Sequence, residues 1–213
     1  MLRERAALKR FFLSGSLLFG VMLNARGGNE QAEQSTETPA FARGTHELEG
    51  LVSYFQSIDN VFGGRPRLAT ALGTARYGWM LDDQRSGVLF GNEEFLIDAF
   101  VGPTLDGPGS VWGGGTLILR HKFALGHRPI VVPYFQIGAG LVASDASSDE
   151  RQFAVGLPVE FNLQSSVGER WRVTREWSIS TEFNYRHFSN AGFSWRNGGY
   201  DLIGGLIGLS RMV

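Results

Sequence analysis

Cysteine is absent from the 213 residues, which removes disulfides, thiolate catalysis, zinc ribbons and iron–sulfur ligation together. No apolar run reaches the roughly 18 residues that a membrane-spanning helix needs. Charge of one sign is not in excess either. Twenty basic residues against 21 acidic give a net charge of −1, so the chain carries no electrostatic footprint for nucleic acid. Proline is scarce, at 7 residues, while glycine (29) and phenylalanine (16) are abundant. Glycine and aromatics in short alternating segments point to β structure rather than to a helical bundle, and the length suits one domain.

The first 25 residues have the three parts of a secretory signal. Arg3, Arg5, Lys9 and Arg10 outnumber Glu4, an apolar stretch runs from Phe11 to Leu23, and Leu23-Asn24-Ala25 closes it with a small residue. A membrane anchor is the competing reading, disfavoured by the shortness of the stretch. Cleavage after Ala25 leaves a mildly acidic exported chain. Residues 26–43, rich in Asn, Gln, Glu and Ser, have little to bury and read as a flexible lead-in to a β-barrel domain over 44–213.

Beyond Gly44 the chain breaks at Gly, Pro, Asp and Asn into eight segments, near 45–58, 68–81, 92–103, 112–125, 130–143, 151–166, 175–189 and 200–213. In segment six Phe153, Val155, Leu157, Val159, Phe161 and Leu163 alternate with polar or small residues. In segment seven Trp177, Ile179, Phe183 and Tyr185 alternate with Ser178, Ser180, Glu182, Asn184 and Arg186. Segments three and four alternate less strictly, and one, two and eight least. A soluble sandwich or a lipocalin-like barrel would also alternate. Three features favour an eight-stranded antiparallel transmembrane β-barrel of the outer membrane. The segments approach the ~9–11 residues of a tilted spanning strand. Aromatics (Tyr54, Phe55, Tyr77, Trp79, Trp112, Phe123, Trp177, Tyr185) sit at segment ends, where interfacial girdles belong. The polar face mixes signs (Glu94, Asp98, Arg120, Lys122, Glu160, Glu182, Arg186), which suits a narrow lumen filled by ion pairs.

With both termini on the periplasmic side, strand seven ends and strand eight begins at the external rim. The odd register of segment seven continues to His187 and Ser189, so both face lipid rather than lumen. Residues two apart on a strand stand roughly 6.5–7 Å apart, within reach of an imidazole leaning onto a hydroxyl. A serine needs such a base, and the base needs a third group to fix its tautomer. Asp201, at the start of the paired strand, is the nearest downstream carboxylate. A bare His-x-Ser on its own has a bland alternative, a polar rim at the girdle. The other histidines, His46, His121 and His127, lack H-E-x-x-H spacing and read as rim or loop residues, and no G-x-S-x-G elbow is present.

The string Arg186-His187-Phe188-Ser189-Asn190-Ala191-Gly192 resembles the H-x-S-N-A-G motif of the PagL family of outer-membrane lipid A 3-O-deacylases, related to the wider acyloxyacyl hydrolase group. Gly91-Asn92-Glu93-Glu94-Phe95, Gly113-Gly114-Gly115-Thr116-Leu117, the run from Pro133 to Gly140, and Phe161-Asn162-Leu163-Gln164 extend the likeness from about Gly50 onward. The resemblance implies an outer-surface triad with Ser189 as nucleophile, His187 as base and Asp201 at the position of the family's acidic residue, a Glu there. It also implies an oxyanion hole from the Gly192 amide and Asn197, with lipid A of lipopolysaccharide as substrate among the outer-membrane lipids. The implied scheme uses no cofactor or metal. Arg196 and Arg186 are candidates for lipid phosphates, or for solvated and lumen-paired roles. The rival class is a non-catalytic structural or adhesive outer-membrane barrel.

Overall fold

The computed structural model describes residues 41–58, 67–86, 90–123 and 129–213. The expected signal peptide, residues 26–40 of the lead-in and His127 lie outside these. Eight strands follow one another: β1 (His46–Ser57), β2 (Ala69–Met80), β3 (Asn92–Asp106), β4 (Val111–Lys122), β5 (Val131–Ser144), β6 (Val159–Arg172), β7 (Trp177–Ser189) and β8 (Tyr200–Met212). Each pairs antiparallel with its sequence neighbour, and β1 pairs with β8 to close a barrel. Closure leaves no sheet edge, which is what lets strands cross a medium that offers no hydrogen bonds.

Alternation sorts the side chains as the period of two requires. Outward lie Ile97, Val101, Leu117, Leu119, Ile137, Leu141, Leu163, Val167, Phe183, Ile207 and Leu209, all large, apolar and exposed. Inward lie the charges. Glu94 and Arg120 are fully buried, and Glu47, Glu49, Arg76, Asp98, Lys122, Arg170 and Glu182 nearly so. An apolar outside around a charged inside suits a barrel with hydrocarbon for its solvent.

The lumen is packed in two layers. In the half nearest the chain termini Arg120 bridges Glu49 (3.1 Å) and Glu94 (3.2 Å), Lys122 bridges Glu47 (3.2 Å) and Glu94 (2.9 Å), and Arg170 pairs with Glu47. Glu182 receives both terminal nitrogens of Arg76, at 2.8 and 3.2 Å. Toward the rim that carries the β7–β8 loop the filling turns apolar, with Phe55, Leu72, Phe100, Trp112, Val142, Phe188, Tyr200 and Leu202 in one buried cluster. This change along the axis explains why β1 and β2 alternate weakly, since their inner faces join buried charges (Glu47, Glu49, Arg76) to apolar residues (Leu51, Phe55, Leu72), while the inner face of β8 is apolar or small, from Tyr200 and Leu202 to Leu206 and Gly208. A second buried group, Phe41, Met80 and Val132, closes the opposite end, and it includes the first of the described residues.

Two expectations are corrected. Segment six does not begin at 151. Residues 151–158 form a loop, and β6 starts at Val159, immediately after Pro158, which has no N–H for a ladder. Ala154 and Val155 are buried in the mouth of the barrel, and Gln152 holds the loop's shape by bonding Val155 N–H (2.8 Å) and the Val155 carbonyl (2.7 Å). The apparent alternation of Phe153, Val155 and Leu157 is a loop covering the lumen. In addition, Phe55 and Trp112 turn inward, whereas Tyr54, Trp177 and Tyr185 keep the outward, girdle-like position.

Candidate active site

The end of β7 carries His187 and Ser189 on the outward face, separated by Phe188, which is 1% exposed. Phe188 stacks on Trp112 with ring centroids 5.5 Å apart, and Trp112 meets Tyr200 edge-on at 6.0 Å. Phe188 and Tyr200 are cross-strand partners. The two strand ends are therefore pinned from inside by large aromatics, and the polar groups outside stand on a rigid base.

His187 and Asp201 are directly opposed in the β7–β8 ladder. Their side chains meet, with His187 Nδ1 2.8 Å from Asp201 Oδ1, each about one-third exposed. A carboxylate accepts only, so Nδ1 carries the proton and Nε2 is left as the acceptor. Gly199 faces this pair, in the left-handed region at φ +66°. A Cβ there would stand 3.6 Å from Ser189 Cβ and 3.7 Å from His187 Cε1, so serine and imidazole converge on one spot.

Tyr185 escaped the sequence reading as anything but a girdle residue. Its hydroxyl donates to the same Asp201 Oδ1 at 2.6 Å.

The β7–β8 loop is built around Asn190, which is 1% exposed. Its carbonyl accepts Phe193 N–H (3.0 Å) across a turn whose central residues, Ala191 (φ 53°) and Gly192 (φ 85°), both have positive φ. These are the backbone values of a primed turn, which glycine adopts freely and alanine does not. Asn190 Oδ1 accepts the N–H groups of Gly192 (3.1 Å) and Ser194 (3.3 Å), and its Nδ2 donates to Glu160 Oε1 (3.1 Å) and the Arg196 carbonyl (2.8 Å). Asn190 N–H in turn donates to Asn197 Oδ1 at 3.0 Å. That bond fixes the amide of Asn197 with its oxygen inward and its NH2 turned away from Asn190. Neither Asn190 nor Glu160 could be assigned this work from sequence, since each reads as an ordinary turn or lumen residue.

The two arginines proposed for phosphate are engaged elsewhere. Arg186 is buried in the lumen, its guanidinium 4.8 Å from the Phe55 ring centre and 4.4 Å from that of Phe100. Arg196 donates to the carbonyls of Asp149 (3.0 Å) and Ser147 (2.9 Å), tying the β7–β8 loop to the β5–β6 loop. Gly198 and Gly199 N–H groups reinforce this by donating to the carbonyls of Phe153 (2.9 Å) and Ala154 (2.8 Å). On the same rim the hydroxyl and N–H of Ser110 hold the Asp145 carboxyl below the usual carboxylate range.

The family model for lipid A 3-O-deacylase (PagL) matches residues 71–210, from within β2 to within β8, a span that includes Tyr185, His187, Ser189, Asn190, Gly192, Asn197 and Asp201. The chain belongs to the PagL family. As a PagL-family barrel it is an outer-membrane protein, in keeping with its apolar outer band. No curated protein matches it by sequence. Among solved structures, it is similar to the outer membrane enzyme PagL at 15% identity, TM-score 0.52, over 76% of this chain and 97% of that one. It is also similar to Neisserial surface protein A, NspA, at 11% identity, TM-score 0.57, over 78% and 96% of the two chains. The outer membrane protein OprG from Pseudomonas aeruginosa matches at 13% identity and TM-score 0.52, over 83% of this chain and 99% of that one. At these identities the neighbours speak for the fold, and the family model speaks for the lineage.

Proposed function

We propose that this PagL-family barrel is a serine esterase that removes the 3-O-linked acyl chain of lipid A, using Ser189, His187 and Asp201. The observation that carries the reading is the 2.8 Å contact between His187 Nδ1 and Asp201 Oδ1 on the outer face of the barrel, beside the serine of the H-x-S-N-A-G motif. Asp201 holds the imidazole in the tautomer whose Nε2 can take the Ser189 proton. Ser189 Oγ attacks the acyl carbonyl, its proton passes to His187, and the sugar oxygen leaves with that proton. Water, deprotonated by His187 in turn, hydrolyses the acyl-serine and frees the fatty acid.

The developing oxyanion is received by Asn197 Nδ2 and the Gly192 N–H. Asn190 supports this arrangement from both sides. Its N–H orients Asn197, and its Oδ1 occupies the small nest formed by the Gly192 and Ser194 amides until the oxyanion competes for it. The rim bearing these groups faces the outside of the cell, where lipid A resides in the outer leaflet, and residues 1–25 are the leader removed on export.

Ser189→Ala abolishes loss of the 3-O-acyl chain from lipid A, read by mass spectrometry of lipid A from cells making either form. Full activity in that variant would remove Ser189 as the nucleophile, whereas intact lipid A in cells making the wild-type chain would leave it a non-catalytic barrel.

A further inference from the structure

Tyr185 lies two residues before His187 on the same outward face of β7, and its ladder partner is Ile203 rather than Asp201. Its phenol nevertheless crosses the diagonal to donate to Asp201 Oδ1 at 2.6 Å, on the oxygen that His187 Nδ1 contacts at 2.8 Å. Diagonal cross-strand neighbours are about 7–8 Å apart, a span that an aromatic side chain covers. Two donors on one carboxylate oxygen, arriving from consecutive outward positions of one strand, hold the aspartate in a single rotamer. A hydrogen bond to an ionised acceptor is among the stronger ones, and its donor here is carried on a ring with few rotamers.

From this geometry we infer that Tyr185 is a positioning residue for the triad: it aims the Asp201 carboxylate at His187 and holds it there. The inference rests on the triad reading above. It also accounts for the aspartate. A carboxylate one methylene shorter than glutamate has less reach, and a second donor on the oxygen that meets the imidazole keeps it in place. Tyr185 touches neither the serine nor the acyl group in this role, so its effect should pass entirely through Asp201.

The test compares wild type, Tyr185→Phe, Asp201→Ala, the double variant and Ser189→Ala, all as full chains refolded in detergent. Folding is verified by the mobility shift of unheated barrels in SDS gels. Tyr185→Phe should lower kcat on lipid A about tenfold with KM changed less than twofold. In parallel, the rate at which a fluorophosphonate labels Ser189 should fall about tenfold on Tyr185→Phe in the wild-type background and by less than twofold in the Asp201→Ala background. A wild-type kcat in folded Tyr185→Phe beside an inactive Ser189→Ala overturns the role of Tyr185 and leaves the triad standing. An equal loss of labelling in both backgrounds also overturns it, since Tyr185 would then act elsewhere. Turnover retained by Ser189→Ala removes the triad itself, and this role with it.

Discussion

Gly199 sets the tolerance of the site. Its φ of +66° is costly for any other residue, and an added methyl would come within 2.6 Å of the Phe188 carbonyl. The same methyl would stand 3.7 Å from His187 Cε1, in the space that the imidazole and the serine share. Gly199→Ala should therefore destabilise the protein by about 1–2 kcal/mol from backbone strain, with a further loss from the clash. It should also cost activity out of proportion, on the order of 100-fold in kcat, because relieving the clash with the Phe188 carbonyl shifts the backbone between His187 and Ser189 by about 1 Å. Urea titration and kinetics on the same preparation separate the two effects. At this scale much was legible. The i, i+2 spacing of His187 and Ser189 and the return of the chain to Asp201 follow from strand periodicity and a hairpin. Tyr185 was not legible, because an outward tyrosine near a strand end has the same pattern whether it anchors in a lipid interface or bonds a carboxylate on the diagonal.

The β7–β8 loop and the β5–β6 loop act as one element. Glu160 Oε1 receives Gly156 N–H (2.9 Å) from one loop and Asn190 Nδ2 (3.1 Å) from the other, while Arg196 crosses in the reverse direction. The Asn190 side chain alone makes four bonds, to Glu160, the Arg196 carbonyl and the Gly192 and Ser194 amides, so truncating it orphans three backbone groups at once. Asn190→Ala should cost about 1–3 kcal/mol for the buried groups left unpaired. Faster amide exchange should be confined to 149–158 and 190–199, with β1 to β5 unchanged. Loss of the proposed deacylation by roughly 100-fold should accompany it, as expected if Gly192 N–H and Asn197 are the oxyanion donors. Uniformly faster exchange around the barrel would show instead that the hub stabilises the whole fold. Sequence periodicity misread this element. Phe153, Val155 and Leu157 alternate in the sequence as one face of a strand would, yet Phe153 is exposed while Ala154 and Val155 are both buried in the barrel mouth, and Pro158 is the local sign that the ladder has not begun.

For the whole barrel, the outer surface is apolar and contributes nothing by hydrophobic burial against lipid, so specificity of closure falls to the lumen. The charges that accomplish this come from strands remote in sequence. Glu182 on β7 receives Arg76 from β2 at 2.8 Å and both Tyr134 and Gln136 from β5 at 3.1 Å, linking three sides of the barrel through one carboxylate. That a mixed-sign inner face exists was readable from segments three, four and seven. Which charge meets which was not, because Glu47, Glu49 and Arg76 lie on the strands whose alternation is blurred by the apolar upper layer. Removing one partner from such a network leaves an uncompensated buried charge, which costs about 3–5 kcal/mol. Glu182→Ala should lower the urea midpoint accordingly, and the loss should be all-or-none across the barrel rather than confined to β7. Glu182→Gln, which keeps an acceptor and the volume, should recover part of it. Since Glu182 points inward and the proposed triad outward, the folded fraction of either variant should keep the wild-type rate of the proposed deacylation. A fall in kcat per folded molecule would mean that the ionic lumen also sets the register of the strand end that carries Ser189.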